Sequence, residues 1–166
     1  MTGNDPFARL PEAATFSLTS TTMGGELPLG HDVSPQLSWT GAPEGTKSYA
    51  VTMYDPDAPT GSGFWHWAVA DLPAAATSLP EDAGDDTGSG LPAGAYQLPN
   101  DARVARFLGA APPPGHGPHR YFVVVSALDV DQIGVPADAT PAMLGFLIAG
   151  HVLARAVLTA TAENPA

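Results

Sequence analysis

The sequence predicts a mainly β domain of two sheets with one helix near its C-terminus, and three observations carry that reading. Five short runs are rich in β-branched and aromatic residues. The 18 glycines and 18 prolines are scattered between those runs without a period, as turn punctuation rather than low complexity. Only one stretch, following Thr140, repeats its apolar residues at helical spacing. A chain of 166 residues fills one core and is short for two, so residues 1–166 form one domain.

Residues 1–15 lack either period and are expected as an extended N-terminal segment. FSLTSTT (16–22) alternates apolar and polar residues and is the first strand candidate, and QLSWT (36–40) follows Ser34-Pro35 as the second. SYAVTMYD (48–55) is a well-patterned strand that stops at an aspartate, and WHWAVADL (65–72) resumes after the Gly61–Gly63 loop. RYFVVVSALDV (120–130) is the most hydrophobic run. Residues 79–101 are acidic and glycine-rich with no apolar period, which predicts a long exposed loop, either a solvated connection or a lid. Thr140 suits an N-cap and Pro141 the first helical position, with Met143, Leu144, Leu147, Ile148 and His151 on one face. VLTATAE (157–163) returns as a strand.

Bulk properties narrow the function. A net charge of -11 with six Lys and Arg opposes binding to nucleic acid or stable association with anionic membranes. With zero cysteines there is no disulfide and no thiolate metal site, which fits a reducing, cytoplasmic compartment. The N-terminus shows no basic stretch followed by an apolar one, so no cleaved signal peptide is expected.

Two stretches hold the candidate chemistry. In DPDAPTGSGFWHW (55–67), Asp55 and Asp57 flank a proline, and His66 sits among Phe64, Trp65 and Trp67. Read alone, the acids form an Asx-type turn at a strand end, each accepting from backbone N–H groups. Beside a histidine they suggest an anion site, with the two acids sharing a proton and a protonated imidazole supplying positive charge. In GAAPPPGHGPHRYFVVV (109–125), the triple proline forms a stiff wall before Gly115 and Gly117. Alternation then turns His119 and Tyr121 to one face of a strand and Arg120 to the other, where it would pair with an acid; Asp32 is one candidate. His116 is read as solvated. Two Asp and two His also suit a divalent metal, but the crowded tryptophans and prolines argue against a metallohydrolase.

Together DPDAP, the Gly/Ser loop, WHW, PPxGxxPHRY and an upstream DVSPxLxW resemble the phosphatidylethanolamine-binding protein family, in its bacterial, Raf-kinase-inhibitor-like branch, from Phe16 to the C-terminus. The resemblance implies a large antiparallel sheet, a smaller sheet and a few peripheral helices. It implies a pocket for phosphate, acetate or phosphorylethanolamine, formed by Asp55, Asp57, His66, Pro112, His119 and Tyr121; with no nucleophile beside a base and no nucleotide-type glycine loop in the sequence, a non-enzymatic, cofactor-free role is expected. It places a cis peptide at Ala58–Pro59, suggests a homodimer, and offers inhibition of a serine protease or kinase as the alternative activity. Three positions depart from the family pattern. Ala111 replaces a cysteine, Phe107 a tyrosine and Asp71 an asparagine, so the lining is expected to be less polar on one side and more acidic on another.

Overall fold

The computed structural model describes residues 4–166. Strands β1 (Ala14–Thr15), β4 (Ser48–Asp55), β5 (Phe64–Pro73), β7 (Tyr96–Gln97), β8 (His119–Leu128) and β9 (Val152–Ala162) form a six-stranded sheet in the order β1-β9-β8-β4-β5-β7. Strands β2 (Ser17–Thr19), β3 (Leu37–Thr40) and β6 (Ser78–Leu79) form a second sheet in the order β2-β3-β6. The large sheet is antiparallel except where β1 runs parallel to β9.

The inward faces of β4 and β8 alternate as the sequence indicates. Tyr49, Val51 and Met53 meet Tyr121, Val123 and Val125 in the principal core, with Trp39 and Trp67 filling the space between the sheets. A second cluster lies on the opposite face of the large sheet, where Leu144 and Ile148 of the helix α1 (Pro141–Ile148) cover Ala50, Ala68, Ala70 and Leu128. The Thr140 side chain accepts from the Met143 amide at 3.1 Å and closes the first turn as the sequence predicts. It is the one helix among the described residues, where the resemblance implied a few.

Four differences from the sequence reading have local causes. The run 16–22 is not one strand: Phe16 donates to the Arg155 carbonyl, and the chain changes sheets there. Ser20 then caps the amides of Thr22 and Met23 and ends the extended run. His151 lies beyond α1 and binds Asp129, so β9 starts at Val152, ahead of the expected 157.

Residues 79–101 are not simply an exposed loop. They bury Ala83 and Leu98 and contribute β7 to the large sheet. Ser34 accepts from the Gly84 amide, Asp85 caps Thr87 and Gly88, and Gln97 accepts from the Trp67 indole. Polar side chains hold this segment inward, so it carries no hydrophobic period to read. The segment 1–15 is described from residue 4: turns at 6–9 precede β1, and Phe7 packs edge-on against Phe122.

Candidate ligand site

Three central strands converge at one end of the large sheet. There β4 finishes at Asp55, β5 begins at Phe64 opposite it, and β8 begins at His119. Period-two alternation carries His119 and Tyr121 to the inner side with Asp55, while Arg120 faces outward.

His66 reaches this end through a register irregularity. Tyr54 pairs with Trp65 and Met53 with Trp67, leaving His66 as the extra residue on β5. Such a bulge re-aims a side chain. It lets Trp67 and His66 both turn inward, and the His66 ring meets Tyr121 edge-on at 5.2 Å and Phe64 at 4.9 Å. The ring is only 5 % exposed. Its Nδ1 faces the Leu108 carbonyl at 3.0 Å; a carbonyl only accepts, so Nδ1 donates and the neutral ring keeps its lone pair at Nε2. Burial lowers the His66 pKa below the ordinary histidine value, against the smaller opposing pull of Leu108 and Asp55. Of the two imidazoles, His66 and His119, expected to supply positive charge, His66 is therefore corrected: desolvation outweighs the carboxylates.

The two aspartates play different parts. Asp55 accepts from the Asp57 amide through Oδ1 at 2.7 Å and from His119 Nδ1 through Oδ2 at 2.7 Å. Asp57 accepts from Arg120 three times: from its amide at 2.8 Å, and from Nε and an Nη nitrogen at 2.9 Å each. This realises the Asx-type turn, and identifies the acid that Arg120 pairs with. Chiefly through the Arg120 side chain, the Asp57 pKa falls below the ordinary carboxylate value. Asp57 is thus held ionised by a cation, and the shared proton expected between the two acids is not needed. Among the described residues no peptide bond is cis, so Ala58–Pro59 is trans.

His116 was read as solvated, yet its Nδ1 lies 2.6 Å from His119 Nε2. Only one proton fits between those nitrogens. Exposed His116, buried His119 and buried Asp55 therefore form one hydrogen-bonded line from the surface inward. Gly115 and Gly117, at φ of 73° and 88°, let the loop turn His116 back onto the strand.

Tyr121 completes the arrangement. The residue is 0 % exposed, and its hydroxyl makes no hydrogen bond of good geometry among the described residues, although Asp55 and the Ala111 backbone lie close enough to act on it; Trp39 Nε1 is the other such buried side-chain atom. Burial first, then Asp55 and Asp57, push the phenol pKa upward, so it remains a donor. Pro112 is buried next to Ala111, whose backbone also acts on the phenol.

Asp32 also matters here, though not as the partner of Arg120. It accepts from the Gly109 amide at 2.8 Å, while an alanine Cβ at Gly109 would lie 2.7 Å from the His31 amide nitrogen. That close contact fixes the chain carrying Leu108, and so the tautomer of His66. No local sequence spacing signals this link, because 77 positions separate its partners. Of the three departures from the family pattern, Asp71 accepts from the Ile133 amide at the other end of β5, and Phe107 packs on Trp67 in the core. Neither makes the site more acidic.

Among the described residues no group of three or more His, Asp or Glu side chains is placed to hold a metal ion. Nor, among the described residues, is any helix long and apolar enough to cross a membrane.

The family described as phosphatidylethanolamine-binding protein matches residues 13–163. The Escherichia coli protein YbcL is 44% identical over 164 residues, covering 92% of this chain and 90% of its own. YbhB from the same organism is 47% identical over 131 residues, covering 79% and 82%. The YbcL crystal structure, described as a member of the mammalian PEBP family, superimposes with a TM-score of 0.86 over 90% of this chain and 99% of that one. A putative phosphatidylethanolamine-binding protein homologue from Chlamydia trachomatis gives 0.73 at 27% identity, covering 92% and 99%.

Proposed function

The chain belongs to the phosphatidylethanolamine-binding protein family, and from that premise we propose that it is a non-enzymatic binding protein for a small protonated oxyanion, held between the ends of β4, β5 and β8. The observation that carries this reading is the buried Tyr121 hydroxyl without a partner, beside a neutral His66 that offers an acceptor at Nε2. An unpaired buried donor costs about 1–3 kcal/mol, which a ligand oxygen would recover.

Donor and acceptor together select a particular ionic form. Tyr121 donates to an ionised oxygen, and an acidic O–H of the same guest donates to His66. A hydrogen phosphate or a singly protonated phosphomonoester such as phosphorylethanolamine meets both demands. The guest's own proton also reduces repulsion from Asp55. Arg120 is not a direct ligand: it neutralises Asp57 from the outer face.

Calorimetric titration with phosphorylethanolamine from pH 5 to 8 tests the reading. Affinity should fall as pH rises through the second ionisation of the phosphomonoester, at about 6. Affinity that is flat or rises over that range overturns it.

A further inference from the structure

A second cleft of about 640 Å³ lies on the outer face of the large sheet, between residues 4–11 and α1. Its floor is Thr52 and Tyr54 of β4 with Phe122 and Val124 of β8. One wall is the N-terminal segment, and the other is the face of α1 carrying Ala142 and Gly145, with Ala149 at its C-cap. At its rim Phe146 is 76% exposed and Leu10 43%. The volume lies within the roughly 300–1,000 Å³ of small-molecule sites.

The cleft is elongated and its charges are arranged by polarity. The N-terminal segment is pinned at two points: the Asn4 carbonyl accepts from Arg120, and the Pro11 carbonyl from Arg155. Arg155 pairs in register with Ser126 of β8, so these pins are six strand residues apart, or about 20 Å. Asp5 sits near the first pin, and Arg9 and Arg155 near the second. Neither arginine has a carboxylate partner among the described residues. Arg155 is half-buried, and burial alone draws its pKa down, the mark of a cation lacking a counter-charge.

We propose that this cleft binds an unbranched aliphatic carboxylate, with its chain along Val124 and Phe122 and its head group against Arg155 and Arg9. The charge pattern chooses this occupant. On a chain of net charge -11, two guanidiniums without a carboxylate partner among the described residues, at one end of an apolar trough, call for an anion bearing a long hydrocarbon tail. The tail also explains the exposed Phe146, which shields the chain at the rim. Gly145 leaves the trough open, since a Cβ there would meet nothing within 4 Å. This site lies on the opposite face of the sheet from the oxyanion site and is independent of it.

The test uses the full chain with palmitate below its aggregation concentration, and with hexadecanol and hexadecyltrimethylammonium as uncharged and cationic chains of the same length. Of the three tryptophans only Trp65 lines the cleft, Trp39 and Trp67 being core residues, so its fluorescence reports occupancy. Palmitate should saturate at one site and bind about tenfold more tightly than hexadecanol, the worth of a charge-assisted hydrogen bond. Arg155→Gln should remove that preference while Arg155→Lys restores most of it. Gly145→Leu should block both chains without lowering the melting temperature, since leucine favours a helix over glycine. Equal binding of palmitate and hexadecanol, or unchanged palmitate binding by Gly145→Leu, overturns the proposal. So does a dimer whose mass and Trp65 signal ignore palmitate, an outcome that assigns this face to a second copy of the chain.

Discussion

Replacing Tyr121 by phenylalanine separates the needs of the fold from those of the ligand. In the free protein the Tyr121 hydroxyl is buried and has no partner among the described residues, so deleting it removes a desolvation cost and opens almost no cavity. That cost is about 1–3 kcal/mol. Allowing for local relaxation, Tyr121→Phe should raise the stability of the free protein by about 1 kcal/mol, or about 2–4 °C in melting temperature for a domain of this size. The same hydroxyl is the proposed donor to the guest. A hydrogen bond to an ionised oxygen is worth about 1.5 kcal/mol or more, so affinity for phosphorylethanolamine should drop at least about tenfold. Urea denaturation without ligand and calorimetry with it measure the two quantities on one variant. The expected result is opposite signs: a firmer free fold and a weaker complex. If Tyr121→Phe destabilises the free protein by more than 1 kcal/mol, or leaves affinity unchanged, the hydroxyl is not held in reserve for a ligand and the reasoning fails.

Asp57→Asn removes the negative charge and one of the two oxygens that accept from Arg120, and should cost about 1–3 kcal/mol at pH 7 in urea denaturation. Because the folded Asp57 pKa is depressed, its contribution is full above the unfolded value of 3.8 and is lost as pH falls through the lower folded value. Wild type and variant should therefore converge as pH falls through the depressed folded value; a constant gap contradicts the ion pair. Gly63→Ala places a Cβ 2.7 Å from the Asp55 carbonyl at a φ of 69°, so it should destabilise by about 2–4 kcal/mol. An unchanged melting temperature would show that the Gly/Ser loop is not packed as described. His66 also has a lowered folded pKa, and the unfolded chain binds its proton first as pH falls below about 6.5. Wild type should thus lose stability relative to His66→Gln from pH 7 to 5, and parallel pH curves would refute the buried neutral imidazole. His116→Ala should open His119 Nε2 to the guest as a further acceptor and raise phosphorylethanolamine affinity by about two- to tenfold. A decrease would make His116 a ligand contact instead.

Much of the architecture is legible where one residue's environment repeats along its own element. Strand β4 ends at Asp55 as its alternation indicates, β8 points His119 and Tyr121 to one side, and Thr140 with Pro141 starts the helix. The opposite orientation of Arg120 also follows from period two, although the identity of its acid does not. By contrast, the inward turn of 79–101 rests on Ser34, Asp85 and Gln97, polar residues whose partners are not adjacent in sequence. Composition made that segment look like solvent-exposed chain. His116 misled for a related reason: glycine neighbours suggest freedom, but here they supply the turn that brings the imidazole back to His119.

Sequence alone determined the principal strands β4, β5 and β8, the family, and the acids and imidazoles of the site other than His116, because these depend on residue type and short spacing. Tertiary structure alone decided that His66 occupies a bulge, that Asp57 belongs to Arg120, and that His66 is neutral while Tyr121 stays protonated. Register requires a partner strand, and a pKa requires knowledge of how much water remains around the group. Neither quantity exists until the distant segments have come together.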